Sequence, residues 1–139
     1  MRLPKCHEIP SKFWYPKDAN EQELCVYRLT INANSVCSDD FLSKYELDKK
    51  NGKDTIRFAE EDMYYGLSTI EELEDAKKLL SKVKAKSLNL HGISLGSTVD
   101  GMVRKTPTRE IKSHVTWWPY QDTKPETYYH IVFGGSEDE

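Results

Sequence analysis

The chain has 139 residues, 37% of them hydrophobic and 31% charged, with 23 acidic against 20 basic side chains and a net charge of -3. That length is about one domain and holds a hydrophobic core without metal or disulfide staples. The acidic balance argues against a general affinity for nucleic-acid backbones, and no apolar run approaches the roughly 20 residues of a membrane span.

The opening MRLPKCHEIPSKFWYP carries charges and prolines where a signal peptide needs an apolar segment, so the expectation is a cytoplasmic protein with no membrane partner. Cys6, Cys25 and Cys37 are odd in number and widely spaced, as reduced cytosolic thiols are. Cys6 and His7 are adjacent while His91, His114 and His130 are scattered. Paired ligand spacing is missing, and no metal site is expected.

Residues 1–20 carry Pro4, Pro10 and Pro16 around Phe13, Trp14 and Tyr15. Prolines at that density oppose regular helix and sheet pairing, so this segment is an irregular arm whose aromatics need cover from the core or from a partner. ELCVYRLTI, 23–31, is the first predicted strand, with Cys25, Tyr27, Leu29 and Ile31 on one face and Leu24, Val26, Arg28 and Thr30 on the other. In SDDFLSKYELDKK, Ser38 is placed to cap a short helix carrying Phe41, Leu42 and Tyr45, which NGKD ends.

The strongest helical pattern is STIEELEDAKKLLSKVKAK. Thr69 and Glu72 fit a capping box, Ile70, Leu73, Ala76, Leu80 and Val83 fall on one face, and Glu74 to Lys78 is an i,i+4 pair. SLNLHGISLG reads as a strand turning at Gly96, and Asp100-Gly101 as a tight turn before MVRKT. KSHVTWW and ETYYHIVF then look like a hairpin around PYQDTKP, followed by an acidic tail, 134–139. The expected fold is a single α+β domain over 21–133, an antiparallel or mixed sheet with two helices packed on one side.

Within HVTWWPYQD, strand alternation sends Val115 and Trp117 one way and His114, Thr116 and Trp118 the other. One tryptophan belongs to the core. The other shares its face with a histidine and a hydroxyl, as a covered sheet surface or a pocket wall would.

The ordered blocks Val26-Tyr27-Arg28, Asp40-Phe41-Leu42-Ser43, Gly66-Leu67-Ser68 and His114-Val115-Thr116-Trp117 resemble those of small uncharacterised bacterial proteins, over about residues 24–118. An arginine on an early strand followed by a Gly-Leu-Ser strand end feeding a helix is also similar to ADP-ribosyltransferase-like domains. That second resemblance implies a split sheet holding NAD in a cleft, with Arg28 near the phosphates or ribose, Ser68 on the nicotinamide ribose, and a glutamate polarising that ribose. The chain has no Ser-Thr-Ser block and no Glu-x-Glu or Gln-x-Glu pair, leaving Glu110 and Glu126 as the carboxylates chosen by position.

Two functional expectations follow. The first is a small protein-binding or accessory factor of the immunity, antitoxin or phage-defence kind, with no cofactor. Its protein partner would meet an aromatic surface of Phe13, Trp14, Tyr15, His114, Thr116 and Trp118. The second is an ADP-ribosyltransferase-like domain, active or degenerate, binding NAD through Arg28 and Ser68.

Overall fold

The computed structural model describes residues 2–134, except the side chains of Val83 and Lys84. The expected acidic tail beyond Gly134 lies outside the described residues. Six strands form one antiparallel sheet: β1 (Cys25–Thr30), β2 (Leu67–Ile70), β3 (Gly92–Ser97), β4 (Gly101–Lys105), β5 (His114–Pro119) and β6 (His130–Gly134). Their spatial order is β4-β5-β2-β1-β3-β6. The three α-helices are α1 (Lys44–Lys50), α2 (Leu73–Leu80) and α3 (Val83–Ser87), so the domain is α+β.

Alternation and register carry one face across the sheet. Leu29 lies opposite Ile93, Tyr27 opposite Ile70, and Ile70 opposite His114. At the β1–β3 side of this face, Leu29, Ile70 and Ile93 bury against Ala76 and Leu80 of α2, Ala85 of α3, and Ile111. The two-helix layer is therefore α2 with α3. α1 packs elsewhere, with Tyr45 edge-on to Tyr64 and Tyr65. The opposite face buries Val26, Leu67, Val103, Val115 and Trp117 beneath Phe41 and Tyr129.

Several local expectations give way to these tertiary demands. Thr69 and Ile70 belong to β2, and α2 starts four residues after Thr69 with no side-chain cap at Glu72. Thr69 instead donates to the Val115 carbonyl at 2.8 Å, because β5 needs a neighbour there more than the helix needs a cap. Glu74 meets Lys77 rather than Lys78, whose ammonium donates to the Glu110 carbonyl. Ser38 opens a 3-10 turn, Ser38–Phe41, while Ser43 caps α1 in a capping box with Glu46.

Gly96 does not turn. It pairs with Val26 inside β3, and a Cβ there would come 2.3 Å from the Tyr129 ring, so glycine admits that ring onto the sheet. The expected 112–133 hairpin is also absent. β5 pairs with β4 and β2, whereas β6 crosses to the far edge and pairs with β3. The seven-residue PYQDTKP segment begins a longer excursion that drops Tyr129 onto Trp117, the rings stacked 6.0 Å apart.

The arm is an internal layer. It bridges Pro4 to Tyr120 and Asn20 to Val103, so it caps part of the β4 edge as well as the end of β5. Cys6 and Ile9 of the arm bury with Tyr64, Tyr65 and Trp118, and Phe13, Trp14 and Tyr15 pack half-buried around them. Removing residues 1–16 should therefore abolish cooperative thermal unfolding or lower its midpoint sharply, and Ile9→Ala should cost about 2–5 kcal/mol. Thermal melts followed by circular dichroism check both; an unchanged midpoint for the truncated chain would show the arm to be an appendage.

Candidate functional site

Much of the expected aromatic surface folds into the chain, with His114, Thr116 and Trp118 buried and Phe13, Trp14 and Tyr15 half-buried. Trp118 is 1% exposed, donates from Nε1 to the Asp62 carbonyl at 3.0 Å, and lies under Cys6 and Ile9. Trp14 Nε1 donates to the Ile9 carbonyl, and the Tyr15 hydroxyl donates to the Arg2 carbonyl. Arg104 ties the Trp118 region down further, bonding Asp62 through two nitrogens at 3.1 Å each and Asp18 at 3.0 Å. Residues 114–120 are all buried, so this part of HVTWWPYQD is core, with Gln121 and Asp122 exposed beyond it.

His114 and Thr116 share the Trp118 face but sit between the arm's cluster and the α2 cluster, where the sheet is polar. Ser68 pairs with Thr116, and Ile70 with His114, so Ser68 is the diagonal neighbour of His114 on the same face. Ser68 Oγ lies 2.6 Å from His114 Nε2. On the other side of the ring, Thr106 Oγ1 lies 2.8 Å from Nδ1 and 2.8 Å from Thr116 Oγ1. Ser68 is exposed while His114 is 8% exposed, so a solvent-facing hydroxyl is backed by a buried base.

Gly66 makes this arrangement possible. A Cβ on it would fall 2.5 Å from the Thr116 methyl and 3.0 Å from the Trp118 indole, pushing β2 off β5. The Gly-Leu-Ser block thus serves close strand packing and delivers Ser68 beside the histidine.

Arg28 reaches the Ser68 backbone from β1, on the face of Val26 opposite that of His114. Its Nη1 donates to the Ser68 carbonyl at 2.8 Å, Nε to the Asp40 carbonyl at 2.8 Å, and Nη2 to the Leu42 carbonyl at 3.2 Å. A guanidinium has five N–H donors, so two are left over after these three bonds. Burial pulls the Arg28 pKa below its usual range, opposed by Tyr129, Asp40 and Glu46. Both nearby carboxylates are already engaged: Asp40 accepts from the Ile31 and Cys37 amides, and Glu46 from Ser43 and Lys5.

The structure therefore unites Ser68, His114 and Thr116 on one face, ties Arg28 to them only through the Ser68 carbonyl, and separates them from the rest of the nominated set. Glu110 is ion-paired to Lys82 at 2.6 Å, and Glu126 sits in the 3-10 turn Pro125–Thr127 leading to Tyr129 on the opposite face. Neither provides the carboxylate that the ADP-ribosyltransferase resemblance calls for. Thr106 was missed because it follows β4 in an irregular connection, where neither periodicity nor a turn motif marks it.

Cys6 is no competing nucleophile. Burial pushes its thiol up to about 12, and it touches Ser43 rather than a histidine, since His7 Nδ1 faces the Pro4 carbonyl. Among the described residues no cluster of His, Cys, Asp or Glu is arranged to hold a metal ion, and no helix is long and apolar enough to cross a membrane. An open groove of about 270 Å³ lies away from this centre, lined by residues that include Arg2, Glu21, Asp100 and Tyr120.

No family model, curated protein or solved structure matches the chain.

Burial lowers the His114 pKa from its ordinary 6.5; the Thr106 backbone opposes this, and the Arg28 charge reinforces it. A folded pKa below the unfolded value means that the unfolded chain takes up a proton first as pH falls. The stability held by the neutral ring is thus complete above 6.5 and is lost progressively from there down through the lower folded midpoint. An NMR titration of the His114 ring should give a midpoint below 6.5, and a midpoint at or above that value would contradict the burial described.

Proposed function

We propose that Ser68 and His114 form the working centre of a small acyl-transferring enzyme, with Ser68 as nucleophile and His114 as general base. The observation that carries this reading is the 2.6 Å contact between an exposed serine hydroxyl and a buried imidazole held below its usual pKa. A weakly nucleophilic hydroxyl gains reactivity when an adjacent base removes its proton during attack. Ser68 Oγ bonds to the acyl carbon of an ester or thioester while its proton passes to Nε2. The departing alcohol or thiol then takes that proton, and water, activated in the same way, releases the acid.

Arg28 supports the centre from β1. Its two unspent N–H donors suit a substrate that carries or develops negative charge, since charge-assisted bonds to oxygen are short and strong. The same donors would meet a nucleotide phosphate, so NAD binding is a ligand reading of this site, with Arg28 and Ser68 in contact with it. The chemistry above requires no cofactor.

One observation favours the binding-factor reading. β6 is an edge strand with Val132 exposed, and an unpaired edge accepts an added strand from a partner. As an immunity, antitoxin or phage-defence factor, the chain would then receive its protein partner on β6 rather than on the aromatic cluster. A cytoplasmic setting fits either reading.

A fluorophosphonate probe tests the serine directly. Wild-type protein should form a one-to-one adduct at Ser68, seen by intact-mass and peptide mass spectrometry. Ser68→Ala should abolish the adduct, and His114→Gln should slow its formation by about 100-fold or more. Equal labelling of the wild type and Ser68→Ala, or none in a folded wild type, overturns the nucleophile assignment.

A further inference from the structure

Among the described residues, no carboxylate stands behind the base at this centre. His114 Nδ1 instead faces Thr106 Oγ1 at 2.8 Å, and Thr106 in turn faces Thr116 Oγ1 at 2.8 Å. Thr106 is anchored to the same residue through its backbone, its amide donating to the His114 carbonyl at 3.0 Å. The backbone bond thus holds Thr106 beside His114, and its hydroxyl meets the ring, which cannot turn without losing that contact. Thr116, 2% exposed, terminates the hydroxyl chain in the interior beside Gly66.

We infer that Thr106 is the positioning residue of this site, a hydroxyl in the place where a carboxylate would ordinarily orient the base. Thr106 keeps the proton on Nδ1 and leaves the Nε2 lone pair facing Ser68. The inference rests on the reading of Ser68 and His114 as a nucleophile and its base. A neutral imidazole has one N–H, so the two contacts of the ring can run in only two senses. In one, Ser68 donates to Nε2 and Nδ1–H donates to Thr106, and the contact between Thr106 and Thr116 runs either way. In the other, Thr116 donates to Thr106, Thr106 to Nδ1, and Nε2–H to Ser68, which leaves the serine with no base.

The first sense is the one inferred. Nδ1, on the Thr106 side, then carries the hydrogen, since the partner of one ring nitrogen sets the tautomer of the other. A neutral hydroxyl supports an imidazolium less than a carboxylate does, and the nearby Arg28 charge works in the same direction. Such a base suits substrates with good leaving groups, which place little demand on the protonated ring.

Long-range ¹H–¹⁵N NMR of the full chain at neutral pH reads the tautomer without any substrate. Wild type should show His114 protonated on Nδ1. Thr106→Val should shift the ring toward a mixture of tautomers and slow fluorophosphonate labelling of Ser68 on the order of 100-fold, while Thr106→Ser should restore both. An Nε2–H tautomer in wild type, or a tautomer indifferent to Thr106→Val, overturns the inference. If Ser68 proves inert while the Nδ1–H tautomer responds to Thr106 as described, the positioning role stands and the acyl-transfer reading falls.

Discussion

A single backbone pair, Tyr27 with Ile70, joins β1 to β2, and Arg28 spans the seam where the ladder stops. On either side stand three-stranded halves, β4-β5-β2 and β1-β3-β6, each laced internally by four or more paired positions. The guanidinium replaces the missing ladder bonds with a side-chain bond to the Ser68 carbonyl. It also fastens the Asp40–Leu42 segment, which carries Phe41 into the core of the opposite face. Bonds from a charged donor are worth about 1.5–3 kcal/mol each, and they leave carbonyls stranded if the donor is lost. Ser68 meets His114 because this pin and the β2–β5 ladder hold β2 from both sides.

The aromatic residues answer a different need. With helices covering only part of one face, the end of β5 would leave Trp118 in water. The proline-broken arm supplies the missing layer and satisfies the polar ends of its own Trp14 and Tyr15. Between that layer and the α2 cluster the same face holds Ser68, His114, Thr106 and Thr116, bonded to one another. A buried polar island survives only if its members satisfy each other, and here the exception is the exposed serine, which keeps one side open to solvent.

What the sequence disclosed was mainly alternation. The two faces of β1 and the opposed directions of Trp117 and Trp118 follow from period two, and the α2 core stripe from period 3.6. The start of α2 was misread because Ser-Thr-Ile-Glu-Glu has a good capping pattern and an equally good strand pattern. The choice is made by β5, forty-odd residues away. The apparent hairpin fails for the same reason: β6 finds β3, a pairing no local signal encodes. At the site, Arg28, Ser68 and His114 were each visible as residues of chemical interest, but in two separate proposals. The meeting of Ser68 with His114 depends on the β2–β5 register, and the tie to Arg28 on the β1–β2 seam, both of which only the folded chain supplies.

The account turns on Arg28 as the pin of the seam, and backbone hydrogen exchange in Arg28→Ala measures that directly. The amides of Leu67–Ile70 and of the Asp40–Leu42 segment should lose protection, while the paired core of β3 and β6 keeps its wild-type rates. Unchanged protection across β2 and that segment in the variant would contradict the account, because it would mean that the two halves hold together without the arginine.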